Sequence, residues 1–313
     1  MFQQPEIVPP VIPPIMRIEG ESFYCDSKGS VVDPEKLVRH FRLTLPVRNF
    51  VTETSARADS AKPKDRECAL AMMLAWAEAG AMTERPAHFV GQRERQRYTL
   101  ALNIIALKLQ SAGLDIDRLL GWLAELSDAV IIDFAKLESA GNLYVWSGVC
   151  VASFAVLSGD NAACRYQDRV WRRSLESIRA DGYVESEMAR GTRALLYHVY
   201  YLSALLTLRT FRNALCKPAS EWDCEALACL TDSVRSALRD PSRIARLAAV
   251  QTQEEVPARQ FAPVVAFGEE LLKPEFCDCI PPGVPTADPI LGGDLVRTAA
   301  ILSHSTRAAL IAA

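Results

Sequence analysis

Residues Met188 to Leu205 combine an apolar background with two arginines, one histidine and three tyrosines. At the helical advance per residue, Arg193, Tyr197 and Tyr200 fall within an arc of about 60°. His198 lies about 140° from Arg193 around the same axis. A guanidinium and two phenols on one stripe can hold an anion and move a proton beside it. Taken alone, such a stripe more often satisfies the ends of neighbouring helices around a buried one.

Three other stretches carry candidate chemistry. Gly141-Asn142-Leu143-Tyr144-Val145-Trp146 opens an apolar run. Asn142 reads as a helix cap, but Tyr144 and Trp146 beside it could stack on a sugar ring. Arg93, Arg95 and Arg97 alternate before the apolar stretch that ends near Leu109. They suit a polyanion, or they pair with acids such as Glu94; Arg172-Arg173 after Trp171 is a weaker case of the same kind. Residues 46–66 are polar with both charge signs and no clear period, so they are expected as a long loop. Arg48, Arg57, Lys62 and Lys64 would make that loop a cationic lid or a solvated surface segment.

Composition narrows the classes. The chain has 313 residues, half of them hydrophobic, and a formal net charge of −3. That is globular composition, and the acidic balance speaks against a nucleic-acid partner. No apolar run reaches membrane-spanning length, so no membrane partner is expected. The nine cysteines and four histidines lack the spacing of a zinc site. The cysteines read mainly as small hydrophobes, with a Cys25–Cys68 bridge as an open option. No metal or other cofactor is expected, and no glycine-rich phosphate loop or nucleophile elbow is present. Residues 1–20 lack the basic start and apolar run of a signal peptide. The chain then reads as cytoplasmic, or as one from which a leader has been removed.

The elements that must position these residues are helices. A proline-rich arm (1–20) is expected to lie extended over the body, followed by a turn at Ser27-Lys28-Gly29-Ser30. Asp33-Pro34 signals a helix start, and residues 34–43 read as a short helix. Helical periodicity then predicts segments at 67–82, 95–109, 115–137, 144–157, 161–180, 192–215, 221–238 and 241–250. Short breaks carrying Gly, Asp or Pro separate them. Residues 290–296 could enter a short strand. This predicts an all-α protein, one domain over 1–313, built of antiparallel helical hairpins curved into an α/α toroid.

These stretches together resemble a family. Asp181 to Tyr200, with its Ala189-Arg-Gly-Thr-Arg-Ala-Leu-Leu-Tyr-His-Val-Tyr200 core, is similar to the DGxLPLELARGxRALxYHxYAL run of the alginate lyases. Ser30 to Pro34, Cys68 to Ala79 and Gly292 to Leu295 are also similar to family segments. The resemblance spans roughly residues 20–296 and implies an α/α toroid with a deep cleft. It implies a polysaccharide lyase that cleaves an acidic, uronate-containing polysaccharide by β-elimination, without metal. By resemblance, Tyr200 is the acid and a candidate base. Arg193 and Asn142 neutralise the uronate carboxylate, with Arg193 lowering the phenol's pKa. Trp146, Tyr144, Tyr197, Arg57, Arg95 and Arg97 are expected to hold the sugar chain. The resemblance also implies a periplasmic or secreted protein; a monomer is expected.

One departure stands inside the resemblance. The family's NNHxYW pattern reads here Gly141-Asn142-Leu143-Tyr144-Val145-Trp146. Leucine at 143 can neither neutralise a carboxylate nor take a proton. Either Tyr200 serves as both base and acid, or a cation from elsewhere replaces the histidine, or the chain is a glycan binder that has lost its chemistry. His198, by its angle, reads as structural.

Overall fold

The computed structural model describes residues 12–26, 29, 31–137, 139–268 and 274–312. Most of the turn expected at 27–30, and residues 1–11 of the proline-rich arm, lie outside them. Helices α1 (Pro34–Leu43), α2 (Leu45–Asp59), α3 (Pro63–Glu78), α4 (Phe89–Ser111), α5 (Asp117–Phe134), α6 (Asn142–Ser158) and α7 (Asn161–Glu176) follow one another through short links. After them come the one-turn α8 (Glu185–Met188), a 3₁₀ turn (Gly191–Arg193), α9 (Ala194–Ala214) and α10 (Glu221–Arg239). The short α11 (Ser242–Leu247), α12 (Ala262–Phe267) and α13 (Pro274–Cys277) lead to a two-stranded hairpin and α14 (Leu295–Ala312). The hairpin is β1 (Ala287–Asp288) against antiparallel β2 (Gly293–Asp294). This is the α/α toroid expected from the periodicity.

Local chemistry explains the helix starts. The Asp33 carboxylate accepts from the amides of Glu35 and Lys36, and Pro34 supplies a first-turn residue with no amide to satisfy. Asp160 caps α7 through the Ala163 amide, and Ser220 and Asp223 close a reciprocal capping box on α10.

The centre of the fold is α6. It is apolar on all sides and packs against α4, α5, α7 and α9, as a helix with no wet face must. Gly148 lets α7 approach closely: a β-carbon there would meet the Val170 side chain at 2.5 Å.

Two expectations need correction. The stretch 46–66 is not a lid loop; it forms most of α2, a turn and the start of α3. Val47, Phe50, Val51, Thr54, Ser55 and Ala58 are all buried, at helical spacing. Thr54 and Ser55 hid that stripe because their hydroxyls read as polar. Thr54 donates to the Phe50 carbonyl at 2.7 Å, and Ser55 to the Thr52 carbonyl at 3.0 Å. The second correction concerns 188–205. Gly191, at φ +60°, sets a 3₁₀ turn before α9, and Arg193 is the residue before that helix. The helical angle between Arg193 and Tyr200 therefore does not apply.

At the far end of α4, the Lys108 ammonium is fully buried. It binds the Asp59 carboxylate at 2.7 Å and the Gly292 carbonyl at 2.8 Å. The other Asp59 oxygen accepts the Asp294 amide at 2.7 Å. These bonds fasten the hairpin and the start of α14 to α2 and α4. The cysteines, including Cys25 and Cys68, are free thiols.

Candidate active site

Three helix starts and one N-terminal tyrosine supply the candidate residues. The first turns of α4 bring Arg93, Glu94 and Arg97. Glu94 is fully buried, and three cationic or ionisable groups close on it. Arg93 donates to it at 2.9 Å, Arg97 approaches at 3.1 Å, and His40 Nε2 lies 3.6 Å away. Burial alone would raise the Glu94 pKa; Arg97, then Arg93, outweigh it and hold the carboxyl down to about 2. Burial lowers the His40 pKa, so the imidazole is neutral near pH 7. Two guanidiniums thus face one carboxylate, leaving one positive charge in excess.

That excess faces Tyr200. Burial raises the Tyr200 pKa, Arg97 and then Arg93 pull it back down, and the Asp288 and Glu94 carboxylates work against the two arginines. The net direction is upward, so the phenol keeps its proton at neutral pH. The Trp146 ring lies beside it, with centroids 5.2 Å apart. The Trp146 Nε1 and Arg97 Nε donors are buried and have no acceptor among the described residues. Gln96 donates to the Leu143 carbonyl at 2.8 Å and ties the start of α6 to α4.

Arg193 sits with different phenols. Its Nη1 donates to Tyr24 Oη at 3.2 Å, its Nε lies 3.3 Å from Glu254, and its guanidinium lies over the Tyr197 ring. Tyr24 and Tyr197 share a hydroxyl–hydroxyl bond of 3.0 Å. Burial pushes the Tyr197 pKa up strongly, and Tyr24 adds to it. The cations that tune Tyr200 are therefore those of α4, and the expected lowering of its pKa by Arg193 is replaced by a net rise. Tyr24 carried no sequence signal, because its partners lie more than a hundred positions away.

Asn142 is the first residue of α6 rather than its cap. Its amide N–H donates to Glu187 at 2.8 Å, and its side-chain amide donates to the other Glu187 oxygen at 3.0 Å. A buried carboxylate from α8 thus satisfies the orphan donors at the N-terminus of α6. This explains Gly141 in place of an asparagine: a β-carbon there would stand 2.9 Å from the Glu187 carboxylate. Burial raises the Glu187 pKa, opposed by its bonds to Asn142. One Asn142 N–H and its carbonyl oxygen are left to offer.

Three expected sugar contacts lie elsewhere. Arg95 is buried and bonds Asp133 of α5 at 2.5 Å, which makes it part of the α4–α5 packing. It points away from its neighbours Arg93 and Arg97 because alternate residues on a helix diverge by about 200°. Arg57 pairs with Glu53 one turn back at 2.7 Å and lies toward Cys68 and Asp65 of α3. Tyr144 projects from α6 toward α7, under the Arg173 guanidinium at 5.0 Å, on the side opposite Trp146. His198 is structural as expected. It is fully buried, its Nε2 accepts the Val184 amide at 2.9 Å, and burial takes its pKa down to about 4.

Comparison with known proteins bears on the fold and the family likeness. The alginate lyase family model matches residues 114–214, which include α6 and α9. A polysaccharide lyase of Stenotrophomonas maltophilia is 28% identical over 210 residues, covering 64% of this chain and 63% of that protein. An alginate lyase of Pseudomonas syringae pv. tomato is 27% identical over 194 residues, covering 59% of this chain and 51% of that protein. The chain thus spans about half to two thirds of the length of these relatives. Alginate lyase A1-III from Sphingomonas species A1 has the same fold, with a TM-score of 0.67, 17% identity, and coverage of 91% of this chain and 83% of that one. A histidine-to-alanine variant of that enzyme complexed with tetrasaccharide matches at TM-score 0.70 and 19% identity, over 95% and 83%. The resemblance to the alginate lyases read from the sequence is borne out. No described helix is long and apolar enough to cross a membrane.

Proposed function

We propose that this chain is a polysaccharide lyase that cleaves a uronate-containing acidic polysaccharide by β-elimination at Tyr200. The observation that carries the reading is the setting of that phenol: two arginines of α4 face it, and the Trp146 ring lines it. The alginate lyase and polysaccharide lyase relatives support the reaction class.

In this reading the uronate carboxylate sits against Arg97 and Arg93, whose charge Glu94 only half cancels. Neutralising the carboxylate acidifies the C5 proton, the work that Leu143 cannot do. Arg97 Nε and Trp146 Nε1, buried without acceptors among the described residues, add hydrogen-bonding demand that suits an oxygen-rich ligand. Tyr200 as phenolate takes the C5 proton. The C–H electrons become the C4–C5 double bond, the C4–O4 bond breaks, and the phenol returns a proton to O4. No water is consumed, and one group serves as base and acid on one face of the ring. Because burial holds the phenol protonated, the phenolate is the scarce form. The kcat/KM should therefore climb as pH rises above neutral toward the raised Tyr200 pKa, close to tenfold per pH unit.

Asn142 and Arg193 remain proposed carboxylate and hydroxyl ligands, held by Glu187 on one side and by Tyr24 and Tyr197 on the other. The work of a lyase on an extracellular polymer fits a periplasmic or secreted protein acting as a monomer. The test is ultraviolet absorbance of the unsaturated product on polymannuronate, polyguluronate and polyglucuronate. Absorbance growth on at least one polymer, abolished by Tyr200→Phe with binding retained, is the expected result. Tight binding with no absorbance growth on any polymer would reject the lyase reading.

A further inference from the structure

Behind α6, on the side away from Trp146 and Tyr200, two cavities share Asp168, Arg172 and Glu176 of α7. The larger holds about 750 Å³ and reaches Trp171, Trp222, Arg212 and Lys217; the smaller holds about 430 Å³ and reaches Tyr144, Arg169 and Arg173. Both volumes are in the range of ligand sites.

The charges here are unevenly matched. Five cations line the pair of cavities (Arg169, Arg172, Arg173, Arg212, Lys217) against three carboxylates (Asp168, Glu176, Asp223). Asp168 is already committed to Arg212, at 2.6 Å, and to Lys217. Asp223 is committed to the Ser220 amide in the cap of α10. Arg172 is exposed and has no ion pair among the described residues. At the rim stands Trp222, 49% exposed, with its indole face open to a ligand. In the wall, Trp171 Nε1 and Arg212 Nε are buried with no acceptor among the described residues.

We infer that the α7–α10 groove is a second site for an anionic oligosaccharide, separate from the cleft at Tyr200. A sugar ring would lie on the exposed Trp222 face, its carboxylate against Arg172, with the next sugars running toward Arg169 and Arg173. An indole with a nearby unpaired guanidinium suits a ligand with an apolar C–H face and a charge on the same ring. The choice of a uronate ligand rests on the proposed lyase function; the groove itself does not. A polymer long enough to reach both sites gains avidity that a tetrasaccharide cannot.

The test uses Trp222→Ala/Arg172→Ala, two exposed positions outside the proposed catalytic set. Expected is a KM for polymannuronate or polyglucuronate raised about tenfold, with kcat/KM on the matching tetrasaccharide within about twofold of the parent. Calorimetry on the Tyr200→Phe protein should count two tetrasaccharides per chain, and one after the double substitution. Equal losses on polymer and tetrasaccharide, or one tetrasaccharide per chain before and after, would overturn the second site. An oligonucleotide of matched charge binding the groove as tightly would overturn the glycan assignment. If no uronate polymer is cleaved at all, the lyase reading fails, while the count of bound tetrasaccharides still decides this inference.

Discussion

The two ends of α4 both bury charge, and they bury it differently. At the C-terminal end Lys108 meets Asp59, Arg297 of α14 lies 4.0 Å from the same carboxylate, Asp294 balances the second cation, and the Gly292 carbonyl takes another of the Lys108 hydrogens. Burial still pulls the Lys108 pKa down, and Asp59 pulls it back. Cations and carboxylates there match in number, and the result is a rivet between α4, α2 and the C-terminal hairpin. At the N-terminal end Glu94 meets Arg93 and Arg97 together, and the surplus charge is left facing Tyr200. A matched buried pair holds a fold; an unmatched one keeps attraction in reserve for a ligand. Nothing in residue type separates the two ends, since each is a cation beside a carboxylate.

The contrast can be broken in order of expected effect. Tyr200→Phe should cost about 10³-fold or more in kcat, because it deletes the proposed proton carrier. Its thermal midpoint should stay near the parent's, measured by calorimetry. Lys108→Met should do the reverse. Leaving Asp59 without its main partner should cost about 3 kcal/mol of stability in denaturant titration. The kcat of the folded fraction should remain near normal. A Lys108→Met protein of normal stability but low kcat would put the two ends on the same footing.

Arg97→Ala should cut kcat/KM by about 10²-fold. Arg97 also helps hold Glu94 ionised, so its removal should shift the acid limb of stability too. The rise of kcat/KM with pH should move to higher pH, because a cation that pulls the Tyr200 pKa down has gone. Arg97→Lys should recover part of the rate. A profile unmoved by Arg97→Ala would leave this arginine as a packing residue.

The smallest effect is the pH dependence of the fold itself. Buried neutral His198 has its pKa lowered to about 4 from the ordinary imidazole value of 6.5. The unfolded chain therefore binds its proton first as pH falls, and stability drains between pH 6.5 and about 4. Glu94, held down to about 2 from 4.5, adds a further loss between those values. Urea midpoints from pH 7 to pH 3 should fall in two stages. His198→Asn should shrink the first stage to the share left by His40, whose pKa burial also lowers, and leave the second.

Some of this was legible in the sequence for simple reasons. A helix writes its buried face at regular intervals, so α3 to α7, α9 and α10 could be read with modest errors at their ends. Apolar runs ended where Gly, Asp or Pro made ending cheap. Helix α2 escaped because two of its buried positions are Thr54 and Ser55, whose hydroxyls bond back to their own helix. The angle of His198 marked it as structural, and the structure places it there, bonded to the backbone of Val184.

The sequence by itself determined the class of fold, the family likeness and the presence of a phenol among cations. It also determined that residue 143 is a leucine with no acid–base chemistry of its own. Which cation meets which phenol was decided only by the tertiary structure. Arg193 and Tyr200 are seven residues apart, yet a 3₁₀ turn at Gly191 and the arrival of Tyr24 turn Arg193 toward Tyr197. Arg97 lies more than a hundred residues before Tyr200 and faces it because α4 and α9 both line α6. Periodicity specifies the face a side chain takes on its own helix. The partner on the other side of that face depends on how the helices pack.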